Sequence, residues 1–265
     1  MHRLLQVLSA SLLLVELGCF PLEGADFEKT YSIPPGGHIR IENVSGNILV
    51  SGYEGSTIQA KGFKEGRDKD RVEVEDSSSS DSIVLKARYP QHCNCDASIR
   101  FEVRVPRATS YQFERLSTAS GDIEVRDVTG DVETYSASGD LRIQDVTGAV
   151  KANTASGDVA AKKVKGSVNA ESASGDVEVE ISKLEGNAHQ LKINTASGDV
   201  NVKLPSDPDV EVEMSTISGD IETDFPIQIH TPEFGPGHSA KGRLGNGTYS
   251  LRLTTVSGDV HLGRL

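Results

Sequence analysis

The sequence predicts an all-β protein: a single-stranded right-handed parallel β-helix with coils of about 18 residues. Three observations predict it. A Ser-Gly-Asp phrase recurs at a fixed period, the residues between phrases alternate apolar and polar, and aromatics are only 5 % with no Trp. A repeat of this size marks a stacked architecture. An interior of small and branched aliphatics is what stacked coils require.

The phrase stands at Ser120-Gly121-Asp122, Ser138-Gly139-Asp140, Ser156-Gly157-Asp158 and Ser174-Gly175-Asp176, then at Ser197-Gly198-Asp199, Ser218-Gly219-Asp220 and Ser257-Gly258-Asp259. The first four glycines are 18 residues apart, and later gaps widen to 23, 21 and 39. Gly130, Gly148 and Gly166 fall midway and form a weaker copy. Counted from each glycine, apolar or small residues fall at plus 2, plus 4 and plus 7: Ile123, Val125, Val128, then Val132, Thr134, Ala137. Alternation of period two is the signature of a half-buried strand. The step from plus 4 to plus 7 breaks it, so a corner is expected there. Each unit then holds two strands, one lined by branched aliphatics and the other by Ala and Thr.

Such a unit cannot bury its apolar face alone, and stacking copies solves the problem. Equivalent residues then sit about 4.8 Å apart. Right-handedness follows from the handedness of parallel crossovers. An antiparallel β-meander of nine-residue units is the alternative.

Glycine supplies the positive φ of a tight corner, and Asp and Ser can bond to turn amides. Stacking places the aspartates in a column, which raises the question of calcium. Two carboxylates ~4.8 Å apart in water repel by only about 0.9 kcal/mol, whereas a charge-assisted bond to an amide returns about 1.5–3 kcal/mol. Turn capping therefore suffices. The calcium-binding β-roll, whose signature is Gly-Gly-x-Gly-x-Asp, is the other reading.

Residues 1–25 read as a signal peptide: His2-Arg3 precede an apolar run from Leu4 to Leu17 that is short for a bilayer span. Cleavage is expected near Gly24 or Ala25. Glu16-Leu17-Gly18-Cys19 resembles a lipoprotein box, so a lipid anchor at Cys19 stands beside plain secretion and an uncleaved anchor. No later segment could cross a membrane. Residues 26–265 read as one β-helix domain, with irregular coils over 31–107 and the Ser-Gly-Asp repeats over 108–265. Within the latter, 226–247 reads as a projecting loop and Thr248 to Leu262 as the last coil. Cys93 and Cys95 leave three states open: a short-range disulfide, free thiols or an intermolecular bond. His92 beside them makes a metal site a further, weaker option.

Three stretches carry a family resemblance: His38-Ile39-Arg40-Ile41-Glu42-Asn43-Val44-Ser45-Gly46-Asn47-Ile48, Phe101-Glu102-Val103-Arg104-Val105-Pro106, and the Thr-Ala-Ser-Gly-Asp-Val run closing with Ser257-Gly258-Asp259-Val260. Over residues 31 to 262 the chain resembles bacterial exported β-strand-repeat proteins classed as a domain of unknown function and often labelled adhesins. The resemblance implies a non-catalytic β-helical protein of the envelope or cell exterior, with some relatives linked to envelope stress sensing. It assigns no functional residues.

The residues agree with a non-catalytic reading. A serine repeated before glycine seven times is a turn residue, not a nucleophile. The seven histidines show no His-Glu-x-x-His spacing. A net charge of −12 argues against nucleic acid as partner. No catalytic, cofactor or metal residue is assigned. The expected partner is an envelope or extracellular component, protein or glycan, met by outward strand positions such as Glu124, Arg126, Arg142 and Gln144, or by the 226–247 loop. A carbohydrate-active β-helix enzyme, lyase or hydrolase, is the alternative.

Overall fold

The computed structural model describes residues 24–185, 190–230 and 236–265. The proposed signal segment and Cys19 therefore lie almost wholly outside the described residues. In chain order the strands are β1 (Phe27–Tyr31), β2 (His38–Glu42), β3 (Ile48–Tyr53), β4 (Ile58–Glu65), β5 (Glu73–Asp76), β6 (Ser82–Arg88) and β7 (Ser98–Pro106). The regular coils contribute β8 (Gln112–Ser120), β9 (Ile123–Thr129), β10 (Val132–Ser138), β11 (Leu141–Thr147), β12 (Val150–Ser156), β13 (Val159–Lys165), β14 (Val168–Ser174) and β15 (Val177–Lys183). Then come β16 (Gln190–Ser197), β17 (Val200–Leu204), β18 (Val210–Thr216), β19 (Ile221–Thr223), β20 (Gln228–His230), β21 (His238–Leu244), β22 (Tyr249–Thr254) and β23 (Val260–Arg264). Among the described residues one 3-10 turn, Lys69–Arg71, interrupts the β structure. No described helix is long and apolar enough to cross a membrane.

The strands form an 11-stranded sheet, β1-β4-β7-β3-β9-β11-β13-β15-β17-β23-β19, and a 12-stranded sheet, β20-β21-β18-β22-β16-β14-β12-β10-β8-β2-β6-β5. From β7 to β19 the chain alternates between them, so each of these coils gives one strand to each sheet. Every pairing through the body is parallel, as between β9 and β11 or β10 and β12. This is a β-solenoid and disposes of the antiparallel meander.

The core is a set of rows. Phe101, Ile48, Ile123, Leu141, Val159, Val177, Val200, Val260 and Ile221 are in register along the first sheet, and all are buried. The facing sheet carries smaller residues in its middle, with Thr134, Ala152 and Ala170 in register and buried. Each row covers its neighbours, so few side chains bury much area alone and many do so jointly.

Local geometry corrects two details. The break after plus 4 is no corner. It is a left-handed residue inside an otherwise continuous strand: Asp127, Asp145 and Lys163 have φ of 57°, 53° and 55°. The extra residue returns Val128, Val146 and Val164 to the interior, as a bulge does. The corners sit at the glycines themselves. In the other half-repeat, alternation simply continues. Ser136 and Thr154 point inward and are buried, while Ala137 and Ala155 are exposed.

Coil order departs from chain order at both ends. β2 and β3 lie between the β6–β7 coil and the β8–β9 coil. Likewise β22 and β23 lie between β16–β17 and β18–β19. The segment from Thr248 onward is therefore an inserted coil and not the end of the stack. The 226–247 segment, expected as a projecting loop, holds β20 and β21 in its described part. These pair antiparallel with each other and, through β21, with β18, covering that sheet's edge. At the other end β5 pairs antiparallel with β6, and β4 with β7. Antiparallel strands thus close three of the four sheet ends and hinder strand addition there, while β19 ends the first sheet in parallel pairing with β23.

Candidate functional site

The Ser-Gly-Asp corner is the natural place to look for chemistry, and its atoms are engaged in three ladders. From Gly121 to Gly198, and at Gly258, the corner glycine N–H donates to the serine carbonyl of the adjacent coil, as from Gly139 to Ser156 and from Gly157 to Ser174, both at 3.0 Å. Each aspartate Oδ1 accepts the N–H of the aspartate one coil away. The series runs Asn47, Asp122, Asp140, Asp158, Asp176, Asp199, Asp259, Asp220, at 2.8–3.0 Å. The buried hydroxyl three residues before each glycine donates to a glycine carbonyl of the neighbouring coil: Ser136 to Gly121, Thr154 to Gly139, Ser172 to Gly157, Thr195 to Gly175. Capping thus runs between coils, not within a turn.

The second carboxylate oxygen of the column faces outward. Arg142 takes up two of them, donating to Asp122 at 3.0 Å and Asp140 at 2.6 Å. The bond to Asp122 raises the Arg142 pKa further above its ordinary value. Among the described residues no three His, Cys, Asp or Glu side chains are grouped so as to hold a metal ion.

The outward positions named from the sequence come together on the first sheet. Arg142 is in register with Glu124, and Gln144 with Arg126. Arg126 pairs with Glu124 at 3.1 Å. One coil on, Ala160 stands in register with Arg142. Its missing bulk leaves a shallow depression of about 320 Å³ lined by Glu124, Arg142, Ile143, Gln144, Ala160 and Lys162. Lys162 reaches Glu178 at 2.6 Å across the same face. A second depression of about 250 Å³ lies toward the far end, among Asp199, Asn201, Asp220, Glu222, Asp259 and His261. Asn201 Oδ1 is buried with no hydrogen-bond partner.

One outward group was missed. Tyr135, on the opposite sheet, has Arg115 at 5.8 Å and Lys151 at 5.4 Å from its ring centroid, and its hydroxyl donates to Glu133 at 2.8 Å. The signal was in the repeat: equivalent positions in the next coils are Asn153 and Glu171. The Cys93–Cys95 pair is a disulfide with Cα atoms 5.1 Å apart. It lies between β6 and β7, away from either depression.

No curated protein matches the sequence significantly. The solved structures similar to this chain include three from bacteria. A "putative cell adhesion protein" from Clostridium sporogenes ATCC 15579 is 12 % identical, with 90 % of this chain and 99 % of that chain covered and a TM-score of 0.33. A "putative adhesin" from Bacteroides fragilis NCTC 9343 is 12 % identical over 90 % and 96 %, with a TM-score of 0.41. Another "putative adhesin", from Parabacteroides distasonis ATCC 8503, is 11 % identical over 90 % and 96 %, with a TM-score of 0.39. The family model of Toastrack DUF4097 matches residues 32–263, nearly the whole described chain, and the protein belongs to that family of unknown function.

Proposed function

We propose that this protein is an exported, non-catalytic binding module of the cell envelope or exterior. Adhesion or scaffolding is its task, and envelope stress sensing is a narrower use of the same surface. The observation that carries the reading is the fate of the repeat's reactive groups. The recurring aspartates accept through Oδ1, and the recurring serines through their backbone carbonyls, in the corner ladders that join coil to coil. What remains for recognition is the outward face, and the depression over Ala160 is where it departs from a flat array. Glu124, Arg142, Gln144 and Lys162 offer paired charges there to a polar, zwitterionic or anionic group.

The test is co-sedimentation of the purified protein with isolated envelope fractions. Arg142→Glu combined with Lys162→Glu is expected to reduce retention about tenfold. Lys192→Glu on the opposite sheet leaves it unchanged. Point variants are preferred to removal of 226–247, because that segment covers the edge of β18. Equal retention by all variants sinks the assignment of the face. Release of new reducing ends or unsaturated sugars from acidic polysaccharides by the wild-type chain sinks the non-catalytic reading.

A further inference from the structure

We propose that the Cys93–Cys95 disulfide is a thiol-exchange site that accepts two electrons from a dithiol of a partner protein. The inference is independent of the proposed binding face. The bond closes a ring over one intervening residue, Asn94. A structural cross-link stabilises chiefly by restricting the unfolded chain, and the gain shrinks with the loop it closes. The flanking strands are already held without it: β6 lies between β2 and β5, and β7 between β3 and β4. The disulfide therefore fastens only its own loop and is not needed to hold the flanking strands.

Its surroundings suit exchange. Gln91, His92, Asn94 and Asp96 are exposed, and the two cysteines are half-buried. Cys95 packs against the core. Cys93 stands outside that cluster, and the attack is assigned to its sulfur. His92 holds a left-handed φ of 55°, which few non-glycine residues adopt. The segment is fastened on either side of the ring. Cys93 N–H donates to the Pro90 carbonyl at 3.3 Å, and Asp96 N–H donates to Asp68 Oδ2 at 3.0 Å. Opening the sulfur–sulfur bond breaks neither anchor. A half-buried disulfide on an exposed loop is open to solvent on one side, as the labile and exchange-active ones are.

In the exchange, one thiolate of the partner dithiol attacks Cys93 Sγ. The Cys93–Cys95 bond breaks, and Cys95 leaves as a thiolate that takes a proton from water. The partner's second thiolate then attacks its own sulfur in the mixed disulfide and releases Cys93, which is protonated in turn. The partner dithiol becomes a disulfide, and Cys93 and Cys95 become two thiols. Two electrons and two protons have moved.

The experiment uses the full chain carrying Cys19→Ser, so that only this pair reports, and a fluorescent synthetic peptide with two cysteines. The protein is expected to oxidise the peptide at least about tenfold faster than oxidised glutathione at equal disulfide concentration. Cys93→Ser and Cys95→Ser each abolish the reaction. Acid quenching and mass analysis place the trapped peptide on Cys93. Reduction and alkylation shift the melting temperature by less than about 2 °C. Oxidation no faster than by glutathione, peptide trapped on Cys95 alone, or loss of the folded state on reduction overturns the proposal.

Discussion

Asp140 Oδ1 accepts the backbone N–H of Asp158 at 3.0 Å, and Asp158 Oδ1 accepts that of Asp176 at 2.8 Å. Each aspartate is therefore an acceptor for the next coil, not a cap for its own turn. At the head of the series Asn47 does the same for Asp122 at 2.9 Å, so an amide oxygen serves as well as a carboxylate. Asp158→Asn is expected to leave stability nearly unchanged. Asp158→Ala removes the acceptor and costs about 1 kcal/mol. Urea denaturation of both variants checks this; equal loss in both would mean that charge, not the acceptor, matters at the corner.

The glycine of the same corner is constrained in two ways that can be separated. Gly157 has φ of 147°, and a Cβ there would lie 2.3 Å from the Gly139 carbonyl oxygen. Gly36 also has positive φ, 80°, but a Cβ there meets nothing within 4 Å. Gly36→Ala pays only the conformational penalty of about 1 kcal/mol. Gly157→Ala must also move one coil away from another and should cost more than about 3 kcal/mol, or prevent folding. Comparable melting temperatures for the two variants would rule out the collision.

Asp76 joins the two sheets at the N-terminal end. Its carboxylate accepts bonds from Lys29 and Tyr31 of β1 and from Ser78 beside its own strand. Burial alone would raise its pKa. The bonds from Lys29, Ser78 and Tyr31 outweigh that and bring it down to about 2. The Tyr31 hydroxyl is pushed up, by burial first and then by its bond to Asp76. A carboxylate whose folded pKa lies below the unfolded value of about 4 contributes stability that is complete above pH 4. That stability is lost as pH falls toward 2. Asp76→Asn should therefore lower the melting temperature at pH 7 and flatten its decline between pH 4 and pH 2. A decline of unchanged slope in the variant would assign the acid sensitivity to other carboxylates.

Much of this architecture is legible in the residues, and the exceptions have physical causes. Period-two alternation and a glycine every nine residues are local properties, so the rod, its two faces and the Ala and Thr lining of one side follow from them. The inward turn of Ser136 and Thr154 does not. A hydroxyl reads as surface until its partner, a glycine carbonyl one coil away, is in place. The bulges at Asp127, Asp145 and Lys163 are likewise hidden, because no glycine marks those left-handed positions. Coil order is the largest omission. Ser218-Gly219-Asp220 and Ser257-Gly258-Asp259 are interchangeable as corners, so nothing local states which of them meets Ser197. The depression over Ala160 was equally unreadable, since it exists only once Arg142 and Lys162 are placed around it.

Coil order can be tested with paired cysteines in a Cys19→Ser, Cys93→Ser, Cys95→Ser background. Asn201 on β17 is in register with His261 on β23, and His261 with Glu222 on β19. Adjacent strands stand about 4.8 Å apart, within the reach of a disulfide, whereas alternate strands stand at roughly 9.6 Å, beyond it. Asn201→Cys with His261→Cys should therefore oxidise to an intramolecular bond, and so should His261→Cys with Glu222→Cys. Asn201→Cys with Glu222→Cys should not. A stack that followed chain order would put β17 beside β19 and reverse the first and last results. Mass analysis of the oxidised, alkylated variants reads the outcome directly. Because the inserted coil separates β16–β17 from β18–β19, the body cannot close until residues beyond Thr248 have taken their place between strands formed earlier in the chain.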